Sequence, residues 1–260
     1  MKKIKSGRII IISIVLVLSV VLGGMSGILI GFIRESSKPM NLSNAVTDAF
    51  CDVIEDENGN YCYHIPEITV DSDAVEDINK RMYASLYDEY SEKVLASIDE
   101  WGIPSISEMT YRWGYKDNTV SITVQTLDNM AFYPFFYVFN VDVRSGEELT
   151  DEEVFELFSL HKEDFYEKVR TAVKQYSVRE KTKYPIDEQE NYINGIIERT
   201  LTDEYIKQAK PFIDSDGKLC AVVSLFSPGG ADTYLHMISL DTGLDKGYIT
   251  CDGKHDEISD

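Results

Sequence analysis

The feature that most constrains this chain is a run of twenty-five residues, 9–33, that contains no charged side chain. About 20 apolar residues at a rise of 1.5 Å cross the hydrocarbon core of a bilayer, so this run is long enough to span it with some tilt. Four cations lie among residues 1–8, and such charges favour the cytoplasmic side. The sequence therefore predicts a short cytoplasmic end (1–8), a single transmembrane helix (9–33) and an extracytoplasmic C-terminal domain at the cell membrane.

A cleaved signal peptide is the alternative for this run, with residues 9–22 as its apolar part and the small residues that follow as a cleavage site. The run continues to residue 33, which favours an uncleaved anchor in the lipid bilayer. Within it, Gly23, Gly27 and Gly31 share one helix face, and such faces let two membrane helices approach closely. They are candidates for a homodimer contact, although glycine is also common in membrane helices without that role.

The charge of the chain restricts the classes of partner. The total is −20, and residues 1–38 hold six Lys or Arg and one Glu, a net of +5, so residues 39–260 carry −25. Nucleic acids and anionic lipid surfaces would repel so acidic a domain, and we expect it to bind no nucleic acid. Basic proteins or cations would be attracted to it. The charge could also serve solubility alone.

Four cysteines, Cys51, Cys62, Cys220 and Cys251, are expected in a compartment where disulfides persist. Cys51 and Cys62 flank the polar segment 55–60 and could bridge two strands of a hairpin. Four cysteines allow three pairings, and their spacing does not choose among them. Because neither CxxC nor a Cys/His spacing of a zinc site occurs, we predict no metal site.

Local patterns predict an α+β fold in which helices pack on one face of an antiparallel sheet. The first part of the C-terminal domain (50–107) contains a hairpin around Asn58-Gly59 and the clearest helix of the chain, 73–101, with apolar residues every three or four positions. Residues 34–49 are predicted to be a spacer. The predicted strands are 50–54, 61–70, 108–115, 119–127, 132–143, 218–226 and 233–240.

The second part, 108–240, is predicted to combine those later strands with helices. Pro134 near the start of an aromatic strand favours an edge position in the sheet or a β-bulge there. Thr150 and Glu153 form a capping box, which predicts a helix start. Further helices are predicted at 161–176 and 187–205, and the tail 241–260 is predicted to be polar and loose.

Motifs of catalysis are not apparent, so we predict no catalytic residue and no cofactor. The four histidines show no local metal spacing, GxSxG is missing, and no cysteine has a neighbour that would lower its pKa. With 45 carboxylates, any acid/base pair could be proposed and none is specific. The segment Asp214-Ser215-Asp216-Gly217 lacks the later ligands of a calcium loop and is predicted to be a hairpin turn.

A loop between the last two predicted strands is the candidate binding site. Proline and two glycines fix an unusual backbone there, and loops held by a rigid hairpin often carry function. A purely structural connection is the alternative. The candidate binding residues are Ser227, Pro228, Gly229, Gly230, Asp232 and Tyr234.

The segment 136–158 resembles a known family. It contains Phe139-Asn140-Val141-Asp142-Val143, then Ser145-Gly146-Glu147, Leu149-Thr150 and a helix with Phe155. This order is similar to the yN-x-D-x-x-[TS]-G-x-x-L-T signature of the RsiV-like extracytoplasmic domain family, which is shared by a lysozyme-sensing anti-sigma factor and some peptidoglycan deacetylases of Gram-positive bacteria. The resemblance covers about residues 60–240. It implies a domain that faces the cell wall and binds lysozyme through loops of its sheet.

Together these observations predict a non-catalytic sensor or inhibitor module that binds lysozyme or another basic protein in the cell-wall space. Eight residues before the membrane segment are too few to hold a sigma factor, and the Asp/His/His metal set of a deacetylase is missing from the sequence. The alternatives are a hydrolase that acts on cell-wall glycans through carboxylates in a cleft, and a structural subunit of an envelope complex that dimerises through its membrane helix.

Overall fold

The structure is a computed structural model that describes residues 40–249, apart from 57–58, 71, 130–133, 183–189 and 227–232, together with residues 255–256. Asn41–Asp260 form one compact unit. The predicted transmembrane segment, with Gly23, Gly27 and Gly31, lies outside the described residues. No helix among the described residues is long and apolar enough to cross a membrane.

The first sheet has six strands that lie side by side in chain order. Neighbouring strands are antiparallel except for β2 and β3, which are parallel. The prediction of a purely antiparallel sheet is wrong at this pair because a long helix, rather than a tight turn, joins the two strands. The strands are β1 (Val46–Asp56), β2 (Gly59–Ile68), β3 (Ile106–Lys116), β4 (Thr119–Asp128), β5 (Pro134–Asp142) and β6 (Glu147–Glu148).

The helix between β2 and β3 confirms the prediction for 73–101. It begins with a 3-10 turn (Asp73–Val75), continues as α1 (Glu76–Tyr90), passes through a π-helical segment (Ser91–Leu95) and ends as α2 (Ala96–Trp101). Its buried face packs on the first sheet, where the rings of Tyr90 and Tyr63 are 5.2 Å apart. The buried residues are Ile78, Met82, Leu86, Tyr90 and Val94.

A side-chain amide fastens α1 to the end of β2. Asn79 Nδ2 donates to the carbonyl of Ile68, and Asn79 Oδ1 accepts from the N–H of the same residue, both at 2.9 Å. The amide therefore satisfies both backbone groups of the last residue of the strand, as a neighbouring strand would.

The second sheet, β7 (Lys210–Ile213), β8 (Leu219–Phe226) and β9 (Thr233–Ser239), is antiparallel and packs on the other face of the first sheet. The N–H of Ile213 donates to Ser121 Oγ, and Asn140 Nδ2 donates to the carbonyl of Pro211, each at 3.0 Å. The backbone of β3 at Gly114 lies so close to the turn after β7 that a Cβ at Gly114 would be 1.9 Å from the carbonyl oxygen of Asp214. Only glycine fits at this contact.

Helices cover the outer face of the second sheet, so the domain is layered as helix, sheet, sheet and helices. These helices are α3 (Asp151–Leu157), α4 (Lys162–Thr182), α5 (Glu190–Thr200) and α6 (Asp203–Ile206). The predicted α+β class is confirmed. The prediction that helices cover one face only is wrong, because two stacked sheets leave two outer faces to cover. The main core between the second sheet and the helices contains Val154, Phe155, Phe165, Val169, Ala172, Val173, Ile206, Ala209, Leu219, Ala221, Val223, Leu225, Ile238 and Leu240.

Parts of the predicted spacer and of the tail that was predicted to be loose are packed. In the predicted spacer, Leu42 and Ala45 are buried and β1 already begins at Val46. In the predicted tail, the carbonyls of Lys246 and Gly247 accept from the half-buried guanidinium of Arg112, at 3.1 and 2.9 Å. Both segments are polar in sequence but are held by contacts that a local pattern does not reveal.

Candidate functional site

The predicted binding loop is placed only in part. Residues 227–232, and with them Ser227, Pro228, Gly229, Gly230 and Asp232, lie outside the described residues. Tyr234 lies on β9 opposite Leu225 and is half-buried. The site assigned to this loop therefore stays a prediction.

The predicted bridge between Cys51 and Cys62 is wrong. Cys51 is a free thiol, whereas Cys62 is disulfide-bonded. In the hairpin register Cys51 lies opposite His64, and Cys62 lies opposite Val53. The two cysteines are therefore diagonal neighbours, and the sheet holds diagonal residues about 7 to 8 Å apart, which exceeds the reach of a disulfide.

The segment that resembles the family signature forms a tight turn. Asp142 Oδ1 accepts hydrogen bonds from the backbone N–H groups of Arg144 and Ser145, at 2.8 and 3.1 Å. Ser145 Oγ accepts from the N–H of Glu147 at 3.2 Å. Thr150 then caps α3 through the predicted capping box. The polar residues of this segment thus satisfy backbone groups and turn the chain from β5 into α3.

Gly146 in this turn lies against the start of the long helix. Its φ is +72°, which favours glycine, and a Cβ there would lie 1.8 Å from the carbonyl oxygen of Ala74. The turn is therefore held close to the N-terminal end of α1. A groove begins beside this contact.

This edge groove has a volume of about 1440 Å³. Strand β5 lines it from Phe136 to Asn140, and α1 forms one wall through Asp77, Lys80, Arg81 and Ser85. The turn after β5 and the start of α3 supply the rest of the lining, residues 145–152. The groove thus combines a strand edge, a helix face and a turn.

The edge of β5 that faces the groove is largely open. β5 pairs with β4 along its whole length, but β6 pairs only with Val141 and Asp142. The carbonyl of Asn140 accepts from the N–H of Leu149 on the β6 side, and backbone groups of an antiparallel strand alternate in direction. The N–H and C=O groups of Phe136 and Val138 therefore point the same way, toward an edge that no described strand occupies.

The side chains of the same residues are held from behind. Phe136 and Val138 pack against the second sheet, where Phe212, Met237 and their neighbours form a small core. The exposed polar edge is therefore presented by a strand whose side chains are fixed. A fixed edge strand with free backbone groups is a template for pairing with another chain.

Carboxylates dominate the charges of the groove. Its lining contains five carboxylates and three cations. Lys210 is paired with Asp151 at 3.0 Å. Asp77, Glu147 and Glu148 are exposed and form no salt bridge with any residue that the structure describes. Arg81 is also exposed and in no described salt bridge, so three carboxylates and one cation leave a net unpaired charge of −2 at the rim. This charge suits a cationic ligand.

The groove was not predicted, although the sequence contains two signals for it. Pro134, the first residue of β5, correctly indicated an edge strand. The second signal is the acidic stretch before and within α3, of which Glu147 was predicted to be part of the family signature and Glu153 part of a capping box. Their position beside an open edge depends on the turn at Gly146 and on its contact with α1, which are not local in sequence.

No protein-family model and no curated protein sequence matches this chain. The resemblance of segment 136–158 to the RsiV-like family therefore stays a prediction.

Proposed function

We propose that this chain is a non-catalytic, membrane-anchored binding module that takes an extended, basic segment of a partner protein into the edge groove as a strand added to β5. The observation that carries this proposal is the open edge of β5 beside an acidic rim. In strand addition, main-chain hydrogen bonds supply affinity and alternate side chains supply specificity.

The backbone groups at the edge are too few to explain tight binding alone. Phe136 and Val138 offer four groups, and at about 0.5 to 1.5 kcal/mol for each net hydrogen bond they contribute about 2 to 6 kcal/mol. A micromolar complex requires about 8 kcal/mol. The partner must therefore also use the walls of the groove, where Asp77, Glu147 and Glu148 favour lysine or arginine.

A lysozyme-like protein is the first candidate partner, because it is basic and the family resemblance implies it. The charge of −25 on residues 39–260 would speed encounter with such a protein at low salt. Whether the complex inhibits the partner or senses it is a separate property, and lysozyme activity measured in the bound state distinguishes the two.

The test is binding of the purified 260-residue chain, kept in detergent because of its apolar first segment, to a c-type lysozyme at two salt concentrations. Two variants of one residue separate the contributions. Val138→Pro removes the N–H that points to the groove but no hydrogen bond to β4. Val138→Ala removes side-chain packing and keeps that N–H. We expect the proline variant to lose binding at least tenfold relative to the alanine variant.

A second pair of variants tests the charge. Glu148→Gln should weaken lysozyme binding and reduce its dependence on salt. Glu55 is an exposed residue of β1, and Glu55→Gln should change neither the affinity nor its dependence on salt.

Equal binding by the two Val138 variants would remove strand addition from the proposal. No binding of lysozyme at either salt concentration would remove that partner, and turnover of labelled peptidoglycan by the chain would support the hydrolase alternative.

A further inference from the structure

Three side chains of the β1–β2 hairpin bring a carboxylate, a thiol and an imidazole together. Ligand atoms of Asp48, Cys51 and His64 all lie within 4.8 Å of one another. Cys51 and His64 are directly opposite in the register. The cluster is far along the sheet from the edge groove, because β1 and β5 are separated by three strands.

A β-bulge accounts for the presence of Asp48 in this cluster. On a regular strand, residues 48 and 51 would point to opposite faces of the sheet. The register shifts between Asp48 and Phe50, and the extra residue of a bulge redirects the side chain before it. Asp48 therefore reaches the same face as Cys51, which the spacing in the sequence does not indicate.

Hydrogen bonds fix the orientation of the imidazole. Asp48 Oδ2 lies 3.1 Å from His64 Nδ1, and the hydroxyl of Tyr111 is also hydrogen-bonded to Asp48. Because the carboxylate can only accept, Nδ1 carries a hydrogen and the lone pair of the neutral ring is on Nε2. His64 Nε2 lies 4.0 Å from Cys51 Sγ. A histidine held at one nitrogen by a carboxylate, with the lone pair of its other nitrogen directed to a second ligand group, is the usual arrangement of a metal ligand.

We propose that Cys51 and His64 bind a divalent cation of the zinc class through Sγ and Nε2, with Asp48 positioning the histidine. Zinc bonds of about 2.3 Å to sulfur and about 2.0 to 2.1 Å to nitrogen at a tetrahedral angle set the two ligand atoms about 3.6 Å apart. The observed 4.0 Å requires a closure of only a few tenths of an ångström. Thiolate and imidazole together favour zinc over calcium or magnesium.

The ion can reach this site without opening the fold. The side chains of His64 and Asp48 are 28% and 40% exposed, and Cys51 is exposed. Two protein ligands leave further coordination positions for water or for a ligand from another molecule. The site is thus open, and it does not depend on the function proposed for the groove.

Cobalt(II) is the probe for this site, because a thiolate bound to Co²⁺ gives a charge-transfer absorption band in the near ultraviolet. We expect the purified 260-residue chain, with its disulfide intact, to develop this band upon titration with Co²⁺ and to lose it upon addition of Zn²⁺. Cys51→Ala should abolish the band, and Cys220→Ala, which removes the buried free thiol, should preserve it.

Asp48→Asn should weaken Co²⁺ binding about 10- to 100-fold, as loss of an orienting carboxylate does. Glu55→Gln makes the same change of charge on the same strand and should leave affinity unchanged. The proposal is overturned if the wild-type chain shows no band at millimolar Co²⁺, or if the band persists in Cys51→Ala. Equal affinity of the two carboxylate variants would overturn the positioning role of Asp48.

Discussion

Three glycine-to-alanine variants test whether the turn after β5 is pressed against the long helix. Gly146 and Gly102 both have positive φ, +72° and +77°, but they differ in their surroundings. At Gly102 a Cβ would meet nothing within 4 Å, whereas at Gly146 it would lie 1.8 Å from the carbonyl oxygen of Ala74. Gly195, in the exposed part of α5, has neither constraint.

The expected losses follow from these differences. A left-handed conformation costs an L-residue about 1 to 2 kcal/mol, so Gly102→Ala should lower the free energy of unfolding by that amount. Gly146→Ala also places a Cβ against the backbone of Ala74, which must shift to make room. Such overpacking costs about 1 to 3 kcal/mol more. The total for Gly146→Ala is therefore about 2 to 5 kcal/mol. Gly195→Ala should instead stabilise the chain by about 0.5 to 1 kcal/mol.

The assay is equilibrium unfolding of the three variants and the wild type in guanidinium chloride, followed by the circular dichroism of the domain. A shift of the midpoint with an unchanged slope reports stability alone. If Gly146→Ala loses no more stability than Gly102→Ala, the turn is not in tight contact with the long helix. The wall of the edge groove would then be less rigid than the proposed binding requires.

Three further predictions concern packing and ionisation. Lys246→Met should destabilise the chain by about 2 to 3 kcal/mol, because it leaves the carboxylate of Asp214 buried without its cation. This loss is smaller than that for a fully buried ion pair, since water reaches part of the site. Burial raises the pKa of Asp214, but the hydrogen bond and charge of Lys246 hold that pKa below its ordinary value of 3.8. The stabilisation that this lowered pKa gives the wild type should therefore be complete above pH 3.8 and be lost as the pH falls below it, as measured by denaturant titrations at several pH values. Asn79→Ala should cost about 1 to 3 kcal/mol in the same unfolding assay, because both backbone groups of Ile68 lose their partner. Thr150→Ala should cost about 1 kcal/mol by removing the cap of α3, and an unchanged midpoint would show that the cap contributes nothing.

Features with a local cause were predictable from the sequence. The helix over 73–101 follows from apolar residues that recur along one face, and the hairpin of β3 and β4 follows from alternation around a short turn. The capping box at Thr150 was confirmed in detail, because each partner lies within three residues of the other. These elements need no knowledge of the rest of the chain.

Features that depend on distant contacts were not predictable. The packing of the second sheet depends on Gly114 meeting the backbone of Asp214, a hundred positions along the chain. The cluster around Cys51 depends on a bulge, and no residue pattern at 48–50 indicates one. The edge groove likewise depends on where α1 and the turn at Gly146 meet. Periodicity can be read from a local stretch of sequence, whereas contacts between distant elements depend on how the whole chain packs.

The strand order of the first sheet suggests how the chain folds. Each strand lies beside the one made just before it. The antiparallel pairs therefore need only short loop closures, whereas β2 and β3 can pair only after the segment that contains the long helix has been made. The contact between Arg112 and the carbonyl of Lys246 spans 134 positions and cannot form until nearly the whole chain exists. We therefore expect the C-terminal segment to dock last, and protection of its amides from hydrogen exchange to follow that of β3 and β4 during refolding. Until then, the guanidinium of Arg112 is in water, and its burial marks the completion of the domain.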